Sequence, residues 1–128
     1  MSPAASQSSL IAVVDDDISV RESVESLLKS VGFRVNTYCS AEEFMSSPRL
    51  DSAECLILDV RLDGMSGPDL QRELKTTGRS IPIVFVTAHE TEALRHRMIT
   101  DGAIDCLLKP FADDTLLNAV EIALRSRG

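Results

Sequence analysis

The chain of 128 residues lacks any apolar run long enough to cross a membrane, so no transmembrane helix is expected. Its first stretch, Met1 to Ser9, has no positive residue and no leader-like apolar segment, so it does not read as a secretory signal. Rich in Ser and Ala, residues 1–9 read as a disordered tail. Basic residues are outnumbered, with 13 Lys and Arg against 20 Asp and Glu and a net charge of −7. An acidic surface repels a phosphate backbone, so no direct nucleic-acid binding by this domain is expected. Cysteines are few: Cys39, Cys55 and Cys106 are odd in number and fit neither a CxxC nor a zinc spacing. They read as buried free thiols of a reducing cytoplasm, which makes a cytoplasmic location the expectation. A GxGxxG fingerprint and a P-loop are both missing, so the usual nucleotide sites of α/β sheets are not indicated. There is no internal repeat and no linker.

What is present fits a single domain, residues 10–128, able to bury a sizeable core. The stretch Glu54-Cys55-Leu56-Ile57-Leu58-Asp59 stands out. It is a short apolar run ended by a carboxylate and followed at once by a Gly-bearing loop, Val60 to Gly67. Such a run reads as a strand buried on both faces. Leu10–Val14 reads the same way, Ile81–Val86 is another apolar run, Ile104–Leu108 reads as the last strand, and Phe33–Tyr38 alternates like a strand nearer the sheet edge. Helices fall between them. Val20, Val24, Leu27, Leu28 and Val31 recur at helical spacing after an Asp cap, and Ser40 to Glu43 reads as a capping box. Leu70 and Leu74 follow Pro68 on an inward helical face. A more polar helix covers about 92–101, and Leu116, Leu117, Val120 and Leu124 line the last. Strand and helix alternating five times implies an α/β fold, a doubly wound parallel sheet with helices on both faces.

In a parallel sheet all carboxyl ends share one edge, where ligands bind. The first strand brings Asp15 and Asp16 there, the third Asp59, the fourth Thr87 and the fifth Lys109. Taken singly, each has a plainer explanation. The Asp15–Asp17 run can be a solvated helix cap, Asp59 a turn residue, Lys109 a surface residue, and Thr87 says nothing alone. Their arrival at one edge favours a joint site. Two carboxylates about 4 Å apart repel by roughly 4 kcal/mol at a surface-like dielectric, so a cluster calls for a cation. Hard oxygen donors with water suit Mg²⁺. A divalent cation, an ammonium and a hydroxyl together suit a phosphoryl group, with Asp59 as the carboxylate that accepts it.

These residues resemble the receiver domains of two-component response regulators over nearly the whole chain after the tail. The resemblance rests on Val14-Asp15-Asp16-Asp17, Asp59 through Gly67, Val86-Thr87-Ala88 and Lys109-Pro110-Phe111. It implies a flavodoxin-like five-stranded sheet in the order 2-1-3-4-5 with five helices. It implies that Asp59 accepts phosphate from the histidine of a sensor histidine kinase or a histidine phosphotransfer protein. Mg²⁺ would be held by the carboxylates of Asp16 and Asp59 and the backbone carbonyl of Arg61, with Asp15 acting through a metal-bound water. Lys109 would bridge to the phosphoryl oxygens, Thr87 would move toward them, and Ala88 would let the backbone approach. The Lys109–Pro110 bond would be cis. The loop glycines would sit where tight turns are needed, and a phosphorylation-dependent homodimer is a further implied partner.

Cys106 departs from the pattern, because the family often has Tyr or Phe there, switching rotamer with the threonine. A thiol cannot fill that volume, so the aromatic half of the switch is expected to be missing. Arg61 and His89 occupy positions that in the family tune acyl phosphate hydrolysis, and their bulk implies a moderately long-lived phosphoryl state. His96 reads as part of a solvated helix face. A Mg²⁺-dependent phosphohydrolase is the enzyme alternative, but Arg61 stands where such enzymes carry their general acid, and no cap-sized insertion exists. A degenerate interaction domain is the third reading, opposed by the intact acidic and cationic set. The chain stops at Gly128, just past its last helix, so it reads either as a stand-alone receiver or as one whose output domain lies beyond. Its loops are most like receivers of two-domain regulators with a helix-turn-helix output.

Overall fold

The structure, a computed structural model, describes residues 9–89 and 91–126. Five parallel strands, β1 (Leu10–Val14), β2 (Arg34–Tyr38), β3 (Cys55–Asp59), β4 (Ile83–Thr87) and β5 (Asp105–Leu108), form one sheet in the order β2-β1-β3-β4-β5. Five helices, α1 (Ile18–Ser30), α2 (Ala41–Met45), α3 (Gly67–Thr76), α4 (Glu92–Thr100) and α5 (Asp113–Ser126), connect and cover it. This is the doubly wound, flavodoxin-like arrangement expected, with the alternating Phe33–Tyr38 segment at the sheet edge.

Side chains alternate across a strand, so each strand feeds two cores. Ala12, Leu56, Leu58 and Phe85 pack with Phe44 of α2, Leu70 and Leu74 of α3 and Met98 of α4. Ile11, Val13, Ile57, Val84 and Val86 pack with Val24 and Leu28 of α1 and Leu116 and Val120 of α5. β1, β3 and β4 are buried along their whole length, which is why they read as continuous apolar runs rather than alternating ones.

Several local expectations are refined. Ser9, placed last in the tail, is buried and accepts the Arg34 N–H on its carbonyl at 3.1 Å. The rest of the proposed tail, residues 1–8, lies outside the described residues. Asp17 is the member of the acidic triplet that caps α1, accepting the Ser19 N–H. Ser40 caps α2 through the Glu43 N–H, but Glu43 returns its carboxylate to the N–H of Cys39, one residue before the cap. The reciprocal box forms instead between Ser66 and Asp69 at the start of α3. Val31 is the C-cap of α1 and is exposed, because the helix ends before that position can turn inward. Cys55 and Cys106 are buried free thiols, whereas Cys39 is exposed. Cys39 follows the edge strand β2, just before the cap of α2, where neither core reaches it. Among the described residues no helix is long and apolar enough to cross a membrane.

Candidate functional site

The strand register builds the site. Val14 pairs with Leu58, so the residues just beyond, Asp15 and Asp59, become neighbours at the carboxyl edge. Parity then aims them. Ile11 and Val13 face the α1–α5 side, as do Cys55 and Ile57, and Asp15 and Asp59 continue those two series. Leu107 faces the same side, and Lys109 is two residues on. Lys109 reaches across β4 toward β3, roughly 10 Å for two strand spacings, where the Asp59 side chain and that of Asp15, from one strand further on, come to meet it. Its Nζ donates to Asp15 Oδ2 at 2.8 Å and to Asp59 Oδ2 at 3.3 Å.

Asp15 and Asp59 are almost closed off from water, at 1% and 5% exposure, while Asp16 is exposed. One ligand oxygen from each of Asp15, Asp16 and Asp59 lies within 4.8 Å of the others. Burial first, then the negative charge of Asp15, pushes the Asp59 carboxyl up from 3.8 to about 6, against the pull of Lys109 and the Arg61 N–H. Burial pulls the Lys109 ammonium down. Its hydrogen bond and charge pairing with Asp15, and then with Asp59, outweigh that and hold it above its ordinary range.

The donor set fits Mg²⁺. Three carboxylates against one ammonium leave two negative charges, the complement of a divalent cation. The three ligand oxygens lie within 4.8 Å of one another, close enough for one cation to engage them directly or through water, which Mg²⁺ retains readily.

The other expected residues fall around this core. The Thr87 side chain is fully buried and continues the series of Ile83 and Phe85, on the opposite parity to Asp59. Its hydroxyl accepts the His89 N–H at 3.1 Å and donates to the His89 carbonyl at 3.2 Å. Thr87 is therefore bound to its own loop rather than to the carboxylates. Ala88, His89 and Arg61 are exposed, and the Arg61 N–H donates to Asp59 Oδ1 at 3.1 Å. The Lys109–Pro110 peptide is cis. Cys106 is buried in the cluster that holds Phe85, Met98 and Ala103. Over it, Arg95 of α4 donates from Nη1 to the Cys106 carbonyl at 2.6 Å and pairs with Asp105 at 2.9 Å. A guanidinium thus joins α4 to β5 beside Cys106, where the aromatic half of the switch was expected to be missing. His96 of α4 is exposed, like its neighbours Arg97 and Ile99.

Three supports of the site were not foreseen. Arg21 Nη1 donates to the Asp15 carbonyl at 2.7 Å. Glu42 of α2 accepts the Met65 N–H at 2.8 Å and so props the loop after Asp59. Gly67 is not a turn glycine. Its Cα approaches the backbone so closely that a Cβ would stand 2.5 Å from the Asp59 carbonyl oxygen. Of the two loop glycines only Gly64, at φ +75°, has the conformation a tight turn demands. The helical spacing of Arg21 after Asp17 was the one visible hint among these; the other two contacts depend on how the loop after β3 folds back against α2 and the strand end.

A family profile described as the response regulator receiver domain matches residues 11–121. Nodulation protein W of Bradyrhizobium diazoefficiens is 45% identical over 119 residues, which cover 93% of this chain and 52% of that protein. Response regulator protein TmoT of Ectopseudomonas mendocina is 43% identical over 119 residues, covering 93% and 54%. The chain thus spans about half the length of these curated relatives. Among solved structures, response regulator StyR superposes with a TM-score of 0.86 at 44% identity, over 93% of this chain and 60% of that one.

Proposed function

The chain belongs to the response regulator receiver domain family, and from that premise we propose that Asp59 is its phosphoacceptor. Receiver domains are signalling switches, and this one takes its phosphoryl group from a sensor histidine kinase or a histidine phosphotransfer protein in the cytoplasm. The observation that carries this reading is the convergence of Asp15, Asp16 and Asp59 within 4.8 Å, with Lys109 hydrogen-bonded to two of them. In the transfer an Asp59 oxygen forms a bond to phosphorus as the P–N bond of the donor histidine breaks, and the imidazole leaves with the electron pair and takes up a proton. The carboxylates of Asp16 and Asp59 and the Arg61 carbonyl would hold Mg²⁺, with Asp15 acting through water. When bound, Mg²⁺ offsets the charge of the entering phosphoryl group. Lys109, hydrogen-bonded to Asp15 and Asp59, exchanges a carboxylate for a phosphoryl oxygen. Thr87, released from His89, supplies a hydroxyl, and the Ala88 backbone faces the group. The switched surface then recruits a second copy or a downstream partner.

The test is an intact-mass measurement after incubation with Mg²⁺ and acetyl phosphate. One acid-stable, base-labile phosphoryl adduct is expected, lost in Asp59→Asn. Rapid turnover of phosphate esters would point to a phosphohydrolase instead, and no adduct would point to a degenerate domain.

Arg61 and His89 flank Asp59 and Thr87 from exposed positions and screen the acyl phosphate from water. Arg61→Ala and His89→Ala are expected to shorten the lifetime of the adduct several-fold, read from the decay of its mass peak. A lifetime of seconds that neither replacement changes would reject the screening role.

A further inference from the structure

Asp15 is held at each kind of polar atom it carries. Its N–H donates to the Tyr38 carbonyl at 3.1 Å. Its Oδ1 accepts the Asp17 N–H at 2.9 Å and its Oδ2 accepts Lys109 Nζ at 2.8 Å. The fourth bond, at 2.7 Å, runs from Arg21 Nη1 to the Asp15 carbonyl. The first three belong to the sheet ladder, the turn and the acidic cluster. The fourth comes from a side chain outside that cluster.

Arg21 lies in the first turn of α1, its own N–H bonded to the Asp17 carbonyl at 3.0 Å. Its guanidinium therefore ties the start of the helix back to Asp15, the residue just past β1. The segment between them is short and contains Asp16, the one exposed carboxylate of the cluster. With both flanks of Asp16 pinned, the backbone that carries it is fixed before any cation arrives. Resting on the reading of Asp59 as a Mg²⁺-dependent phosphoacceptor, the geometry points to Arg21 as a positioning residue that presets Asp15 and Asp16 for the cation.

Two effects of Arg21 on a divalent cation have opposite signs. Its positive charge repels the cation, so on charge alone Arg21→Ala tightens Mg²⁺ binding. Its hydrogen bond orders the loop, so on positioning Arg21→Ala weakens binding. Ordering acts at short range on the ligands themselves, whereas the charge of an arginine near the surface is screened by water and salt.

Isothermal titration calorimetry with MgCl₂ on the full chain decides between them. Arg21→Ala is expected to raise the Kd for Mg²⁺ about tenfold. Arg21→Lys, which keeps the charge and one donor, is expected to recover part of that loss. At saturating Mg²⁺ the rate of adduct formation from acetyl phosphate is expected to match the parent, because a positioning role is spent once the cation is bound. A Kd for Arg21→Ala equal to or below the parent value overturns the inference. So does a slower rate that saturating Mg²⁺ does not restore. Should Arg21→Ala fail to fold, Arg21→Met, which keeps an apolar stem but has no donor, carries the same comparison. A parent chain that binds no Mg²⁺ removes the phosphoacceptor reading and this inference with it, and that result is read on the parent alone.

Discussion

In metal-free buffer at pH 7.5, Asp59→Asn is expected to unfold at a temperature roughly 5–10 °C above the parent. Replacement of a buried, hydrogen-bonded residue ordinarily destabilises, so the sign is the informative part. The cause is the raised carboxyl. Asp59 moves from 3.8 to about 6 on folding, chiefly through burial and the nearby Asp15 charge. With ~1.4 kcal/mol for each tenfold change in proton affinity, ionised Asp59 works against folding by up to about 3 kcal/mol at neutral pH. Asparagine keeps the shape and removes the charge, while Lys109 keeps its partner Asp15. The folded-state value lies above the unfolded one, so the unfavourable contribution is absent below pH 3.8. It grows as the pH rises and is complete above about 6. Thermal unfolding scans of the two proteins should therefore converge near pH 4, separate between pH 4 and 6, and keep a constant separation above that. Mg²⁺ should raise the unfolding temperature of the parent and have much less effect on the variant. A variant less stable than the parent at pH 7.5 would mean that the Asp59 charge is already well compensated without a cation.

Gly67→Ala is the second large effect. A Cβ on Gly67 would stand 2.5 Å from the Asp59 carbonyl oxygen and 3.0 Å from both the Val60 Cα and the Phe85 ring. Two of those atoms are backbone and the third is in a fully buried side chain, so none can move aside cheaply. Gly67 also donates its N–H to the Val60 carbonyl at 3.0 Å, which holds the two segments together as the methyl pushes them apart. The expected loss is about 2–4 kcal/mol, read as a lowered urea midpoint at unchanged slope. Adduct formation should slow as well, because the displaced backbone is that of Asp59. Gly78→Ala is the control. Gly78 has φ +78° but open space around the added carbon, so only the conformational strain remains, about 1 kcal/mol. If the two variants lose the same stability, contact with Asp59 is not what demands glycine at position 67.

The local parts of this molecule were readable. Apolar runs such as Leu10–Val14 and Cys55–Leu58 could only be strands buried on both faces. The residues ending them, Asp15, Asp59, Thr87 and Lys109, had to share an edge once the sheet was parallel. The parity that sets Asp15 and Asp59 on the α1–α5 side and Thr87 on the other was not legible in runs that are apolar at nearly every position; the packed helices assign it.

What pattern could not supply were contacts between segments remote along the chain. Lys109 meets Asp15 across 94 residues, and Glu42 props Met65 across 23. The clash that reserves position 67 for glycine lies against the strand end and the β4 core, and Arg95 fastens α4 to β5 beside a cysteine. Periodicity records which way a side chain faces within its own element. The packing of whole elements sets how far it must reach and what it meets. The amino-acid order alone thus determined the strands, the helices and the edge where the chemistry gathers. The assembled sheet decided which groups touch there, how deeply Asp59 is buried and what holds the Asp15 loop in place, because those depend on distances between elements that no single segment encodes.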